Sequence, residues 1–175
     1  MKITQHQTIQ ATADRVWQVF AHDFDQADEW MSSIPKTSGA QLGEQFEDAT
    51  SCGRVCEIDA NPNGIKIKEA FLAYDEQDKR CKLDISLHNA PFIAPIYGNQ
   101  LIFSVRDTGV NQSEITWIME PKIKPLAHII YPLLKFGIGK LAAQILEELT
   151  YFIEQGQPHP SKVKAMAKFN ATSKA

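Results

Sequence analysis

Cys52-Gly53-Arg54-Val55-Cys56-Glu57-Ile58, followed by Asn61-Pro62-Asn63-Gly64 and then Ile65-Lys66-Ile67-Lys68-Glu69-Ala70-Phe71-Leu72-Ala73, is the stretch that decides the fold. Cys52, Cys56 and Ile58 alternate with polar or small residues, and Ile65, Ile67, Phe71 and Ala73 resume the alternation after the turn. A period of two sends successive side chains to opposite faces, so the stretch predicts a β-hairpin with one apolar face. With Asn61 to Gly64 as the turn, Cys56 is expected opposite Glu69 and Arg54 opposite Phe71. Arg54 and Glu69 then become diagonal neighbours on that face.

Outward from the hairpin the same period continues. Cys81, Leu83, Ile85 and Leu87 predict another strand, as do Leu101, Phe103 and Val105, and then Ile115, Trp117 and Met119 beyond the polar loop at 107–112. The result is an antiparallel meander between residues 51 and 121. Residues 88–98 are unusually apolar for a surface connection, with Pro91, Phe92, Ile93, Pro95, Ile96 and Tyr97, and read as a lid.

Before the meander, residues 2–10 carry a strand pattern. Thr12 is placed to cap a short helix containing Val16, Trp17, Val19 and Phe20, with Asp14 in its first turn. A second short helical segment, 26–31, carries Trp30 and is stopped by Pro35; Asp23, Asp25, Asp28 and Glu29 form the solvated side of the two helices. After the meander, Leu134, Ile138, Leu141, Ile145, Leu149 and Phe152 mark one face of a long helix running to about Gln155, with Gly156 as its stop. Pro132 and Gly137-Ile138-Gly139 are points where that helix is expected to kink. Residues 157–175, with four lysines, two prolines and no acid, read as a basic, mobile tail to a domain spanning 1–156.

The totals agree with one α+β domain: 175 residues, 43% apolar and 22% charged, enough to bury a core. A formal net charge of −3 and a pI near 5.9 argue against nucleic acid as a partner, which calls for a clearly basic face. The first residues contain no apolar run of the signal-peptide kind, so a cytoplasmic location is expected. The stretch 126–149 is interrupted by His128, Lys135, Lys140, Gln144 and two glutamates; it reads as a core helix without stable membrane insertion. Cys52, Cys56 and Cys81 are an odd number without metal-ligand spacing and are expected to be reduced and buried. No metal or cofactor motif, Gly-rich phosphate loop or Gly-x-Ser-x-Gly elbow occurs.

Several pieces, in order along the chain, resemble a known family. They are Ala11-Thr12-Ala13-Asp14-Arg15-Val16-Trp17, Trp30, Gly53-Arg54-Val55-Cys56, Gly64 with Lys68-Glu69, Tyr74-Asp75, the stretch 91–97 and Ile115-Thr116-Trp117. Together they look like the polyketide cyclase/dehydrase and lipid-transport group of the START-like (SRPBCC) superfamily. The resemblance implies a helix-grip fold: a curved antiparallel sheet wrapped around a long C-terminal helix, with two short helices after the first strand. It also implies a cavity used by binding proteins and enzymes alike for lipids, polyketides and aromatic molecules, so fold alone does not decide activity.

The candidate site follows from both lines. Arg54 and Glu69, charged on an otherwise apolar face, fit either a ligand-holding pair, with Glu69 orienting the guanidinium or accepting a proton, or a structural ion pair. Ligand contacts are expected from Arg54, Glu69, Phe71, Ile85, Tyr97, Phe103, Trp117, His128, Tyr131 and Leu134. The expected function is binding or carriage of a small hydrophobic molecule. The alternative is a metal-independent cyclase or dehydratase in which Arg54, Glu69, Tyr97 or His128 moves protons.

Overall fold

A computed structural model of the protein describes residues 1–61 and 63–172; Pro62 of the expected turn and the last three residues of the expected tail lie outside that range. Seven strands form one sheet: β1 (Ile3–Ile9), β2 (Lys36–Gly39), β3 (Gly53–Glu57), β4 (Lys66–Asp75), β5 (Arg80–His88), β6 (Ile96–Gly109) and β7 (Gln112–Ile123). Their spatial order is β1-β7-β6-β5-β4-β3-β2, with every neighbouring pair antiparallel. α1 (Ala13–Trp17), continued by a π-helical turn (Gln18–His22), and a 3-10 segment (Phe24–Glu29) follow β1. A 3-10 turn (Pro125–Ile130) leads into α2 (Tyr131–Gln155), which the sheet grips, and α3 (Pro160–Thr172) closes the described chain. This is the helix-grip architecture that the period-two meander and the last long helix require.

Local chemistry sets the element ends. Thr12 is the cap of α1, its side chain accepting from the Arg15 N–H at 3.3 Å. α2 ends where Gly156 enters the left-handed region at φ 67°, a conformation cheap only for glycine. Pro132 lies in the first turn of α2, where a missing N–H leaves no helical bond unmade, so the helix runs unbroken past it. β2 carries Lys36-Thr37-Ser38-Gly39, which has no apolar alternation; it is an edge strand on β3 and leaves no pattern in the sequence.

The β3–β4 hairpin differs from expectation by two residues. Arg54 faces Glu69 directly and Cys56 faces Ile67. The loop is longer than the four-residue turn because Asp59 organises it, its carboxylate accepting from the N–H groups of Asn61 and Ile65 at 2.9 and 3.2 Å. The Ile58 N–H to Ile65 carbonyl bond then closes the hairpin. A shift of two preserves which face each side chain occupies, so the apolar face survives the change.

The interior is filled unevenly. The short helices drive Trp17, Phe20 and Phe24 onto the sheet, where Phe20 stacks on Phe103 (centroids 3.7 Å), Phe24 meets Phe71 (4.5 Å) and Trp17 meets Tyr74 (5.2 Å). Trp117 abuts Phe20 and Phe103 edge-on. Ile138, Ala142, Ile145, Leu146 and Leu149 of α2 complete the core. Of the face expected for this helix, Leu134 and Phe152 are half-buried against the core and Leu141 is partly exposed. α2 is less of a core helix than its sequence suggests. Together with its leading turn it is long and apolar enough to cross a membrane by length and composition, and only 17% of its most apolar stretch is buried.

The segment expected as a mobile tail instead contains α3, seated by buried polar groups. Glu148 of α2, fully buried, accepts from the Ser32 N–H (2.8 Å), Gln144 Nε2 (2.9 Å) and Ser161 Oγ (2.6 Å). Buried Lys162 donates to the Ile34 carbonyl at 2.8 Å. Burial raises the Glu148 pKa, but the bonds from Ser161, Ser32 and Gln144 outweigh it and hold the carboxyl below its ordinary value. Its contribution to stability is therefore present above the ordinary glutamate value and is lost as pH falls through the lowered one. Glu148→Ala should cost about 3 kcal/mol in urea unfolding at neutral pH, and the gap from wild type should narrow in acid. A gap unchanged between neutral pH and acid would contradict the assignment.

Candidate functional site

Register assembles the site. Arg54, Glu69, Ile85, Asn99 and Pro121 are successive partners on β3, β4, β5, β6 and β7, so they form one row across the inner face of the sheet. The neighbouring row, Phe71, Leu83, Leu101, Met119 and Ile3, backs onto the aromatic cluster. Where the rings stop, the sheet and α2 enclose a cavity of about 310 Å³. Its wall is aliphatic on both sides, with Ile58, Ile67, Ile85 and Leu87 from the sheet and Ile138, Leu141 and Ile145 from α2, while Met31 and Ile34 close it from the segment before β2.

Polar groups on this wall are few. Arg54 and Glu69 are 3% and 5% exposed. Arg54 Nε and Nη2 both bond Glu69 Oε2, at 2.7 and 2.6 Å, Nη1 donates to the Phe24 carbonyl, and the guanidinium carbon lies 4.0 Å from the Phe24 ring centre. Each guanidinium nitrogen is thus engaged by a protein group. Asn99 is the opposite case. It is 6% exposed on the cavity wall, and neither its Nδ2 nor its Oδ1 has a hydrogen-bond partner. Trp117 Nε1, also buried on the wall, lacks one as well. Buried polar atoms are normally paired, so these unpartnered atoms, closed to solvent on residues that line the cavity, are exceptions to that rule. Asn99 and Glu69 are two strands apart, roughly 10 Å, with Ile85 between them.

The expected site residues divide on this geometry. Arg54, Glu69, Ile85 and Trp117 line the cavity. Phe71 and Phe103 point inward but are consumed by the packing against Phe24 and Phe20, so they are core. Tyr97 shares the strand parity of Asn99 and Leu101 and should face inward, yet it is 52% exposed. The cause is a bulge between Ile96 and Gly98 that inserts Tyr97 as an extra residue and turns Ile96 to the wall instead. Gly98 makes the bulge possible, since a Cβ there would approach the Ile85 carbonyl oxygen to 2.6 Å. His128 and Tyr131 stack on each other outside the cavity, carried there by the 3-10 turn before α2, and Leu134 packs below it on the core. Asn99 was missed because a lone asparagine in a strand has no pattern; its register opposite Ile85 and Pro121 was the available signal.

All three cysteines are free and buried, and burial, then the Glu69 charge, push Cys56 up to about 12, while burial also raises Cys81. Among the described residues no group of His, Cys, Asp and Glu is arranged to hold a metal ion.

With the fold and cavity in view, the chain can be placed. Residues 1–150 match the family model described as polyketide cyclase / dehydrase and lipid transport, and the chain belongs to that family. No curated protein matches the sequence. Similar solved structures include an uncharacterised protein of Bacillus thuringiensis (20% identity, TM-score 0.63, covering 87% of this chain and 98% of that one). A START superfamily protein of Mycobacterium smegmatis aligns over 98% of both chains at 14% identity and TM-score 0.61. A norcoclaurine synthase point mutant of Thalictrum flavum, bound to a transition-state analogue, aligns over 89% of this chain and 95% of that one at 18% identity and TM-score 0.58. At these identities the likeness is one of fold.

Removing one partner of a buried ion pair leaves the other uncompensated, whereas replacing both by apolar side chains does not. Arg54→Ala should therefore cost about 3 to 5 kcal/mol in urea unfolding, and Arg54→Met combined with Glu69→Leu should lie within about 1 kcal/mol of wild type. Equal losses for the single and double variants would mean the pair's packing, not its charge, is what matters.

Proposed function

We propose, taking family membership and cavity geometry together, that the protein binds and carries one small, largely apolar molecule bearing a single polar group. The observation that supports this most is the aliphatic cavity of about 310 Å³, lined in part by Asn99, whose buried amide has no partner and could reach a ligand by turning toward the cavity. That volume lies at the lower end of the range of about 300 to 1,000 Å³ for small-molecule sites, which suits one short chain or a compact ring system rather than a two-chain lipid. Affinity would come from apolar area, at roughly 25 cal/mol per Å² buried, and orientation from Asn99.

Because Asn99 offers both an N–H donor and a carbonyl acceptor, the matching group is one that donates and accepts together: a hydroxyl, a protonated carboxyl or an amide. Arg54 and Glu69 shape the far end of the row. A cyclase or dehydratase acting in the same cavity would have to draw its acid and base from these two, the titratable side chains on the described wall. Glu69 Oε2 already accepts from both Arg54 Nε and Nη2, an engagement that favours binding over proton transfer.

The reading is tested with matched ligands, a medium-chain alcohol and the alkane of equal length, by fluorescence displacement and melting temperature. Both should bind, the alcohol more tightly. Asn99→Leu should weaken the alcohol by about tenfold while sparing the alkane, as loss of one hydrogen-bonded group implies. Ile85→Trp, which fills the cavity, should abolish binding of both. Failure of either ligand to raise the wild-type melting temperature would overturn the proposal.

A further inference from the structure

The half of α2 that the sheet does not grip is the largest feature that ligand binding leaves unexplained. Leu126, Ile129, Leu133 and Phe136 recur at helical spacing along one side of the 3-10 turn and the start of α2, and Phe92 and Ile93 form the tip of the loop between β5 and β6. All six are between 68% and 93% exposed. The loop and the helix start form one surface. Lys124 donates its Nζ to the Phe92 carbonyl at 2.6 Å and lies 5.2 Å from that ring's centre, and its backbone N–H bonds the Pro95 carbonyl at 3.0 Å. A contiguous exposed apolar patch of this kind marks a contact site rather than ordinary surface.

Charge indicates the partner. Residues 121–146 contain four lysines and no acid in a chain whose net charge is −3. Lys122 is neutralised by Asp84, but Lys135 and Lys140 are exposed beside the apolar side chains and Lys124 joins the loop to the helix. Protruding aliphatic and aromatic side chains flanked by unpaired lysines are the composition of a segment that lies in a lipid headgroup layer. Leu87 and Ile96, which flank the apolar loop, and Leu141 of α2 also line the cavity.

We propose that this face seats the protein on anionic membrane surfaces, Phe92, Ile93, Leu133 and Phe136 entering the headgroup layer while Lys124, Lys135 and Lys140 meet lipid phosphates. Docking of this kind is peripheral and independent of what the cavity holds. It is tested by flotation of the full chain with phosphatidylcholine vesicles prepared with and without phosphatidylglycerol. The protein should float with the anionic vesicles, and added salt should weaken binding. Leu133→Ser with Phe136→Ser should lose at least about tenfold in binding, from the apolar area removed. Lys135→Gln and Lys140→Gln should each lose about fivefold on anionic vesicles alone. These side chains are exposed, so unchanged melting temperatures confirm that the variants are folded. No flotation with either vesicle, or flotation of the Leu133→Ser, Phe136→Ser variant equal to wild type, overturns the proposal. So does a lipid-free dimer in sedimentation that this variant dissolves, which assigns the face to a second copy of the chain.

Discussion

A curved sheet closing on a single helix must fill its interior with side chains or leave a void, because protein interiors are packed to the density of organic crystals. In this protein the filling is one-sided. Phe20, Phe24, Phe71 and Phe103, with Trp17 and Tyr74, interlock where the short helices cross the sheet. Beyond them the wall becomes aliphatic, and Trp117 is its one aromatic member among the described residues. The cavity exists where the rings run out, and everything proposed about function depends on that boundary.

Energetics at the boundary separate two polar features that look alike in sequence. In the Arg54–Glu69 pair the guanidinium meets Glu69 through Nε and Nη2 and the Phe24 carbonyl through Nη1, and its removal from water is compensated by that geometry. Asn99 is a buried amide without partners among the described residues, an arrangement that costs free energy unless the missing bonds are supplied. Arg54 and Glu69 thus fit the structural reading of a buried ion pair while standing on the cavity wall, and in the binding proposed above Asn99, two strands from Glu69, would supply the open bonds.

Much of this was legible in the chain. Period-two alternation from Cys52 to Met119 gave the meander, Thr12 and Gly156 marked helix ends, and Arg54 with Glu69 stood out as charge on an apolar face. What escaped did so for physical reasons. β2 is a polar edge strand without a pattern, and the Asp59 loop moved the hairpin register by two. The bulge at Tyr97 reversed the facing of the strand end. α3 is anchored through Glu148 and Lys162, which reach back to Ser32 and Ile34 more than a hundred residues earlier, so its composition reads as a tail. His128 and Tyr131 depended on the orientation of a 3-10 turn, which tertiary packing sets. Side-chain identity revealed faces; register and bulges decided which residues meet.

The central claim, that the cavity holds a small polar-ended apolar molecule, is tested most directly by native mass spectrometry of the protein purified from its own source, with extraction and identification of what comes with it. The account predicts a noncovalent adduct at one molecule per chain, small, mostly hydrocarbon or aromatic, and carrying a hydroxyl, carboxyl or amide. A protein that shows only the mass of its own chain, both as purified and after incubation with such molecules, would contradict it.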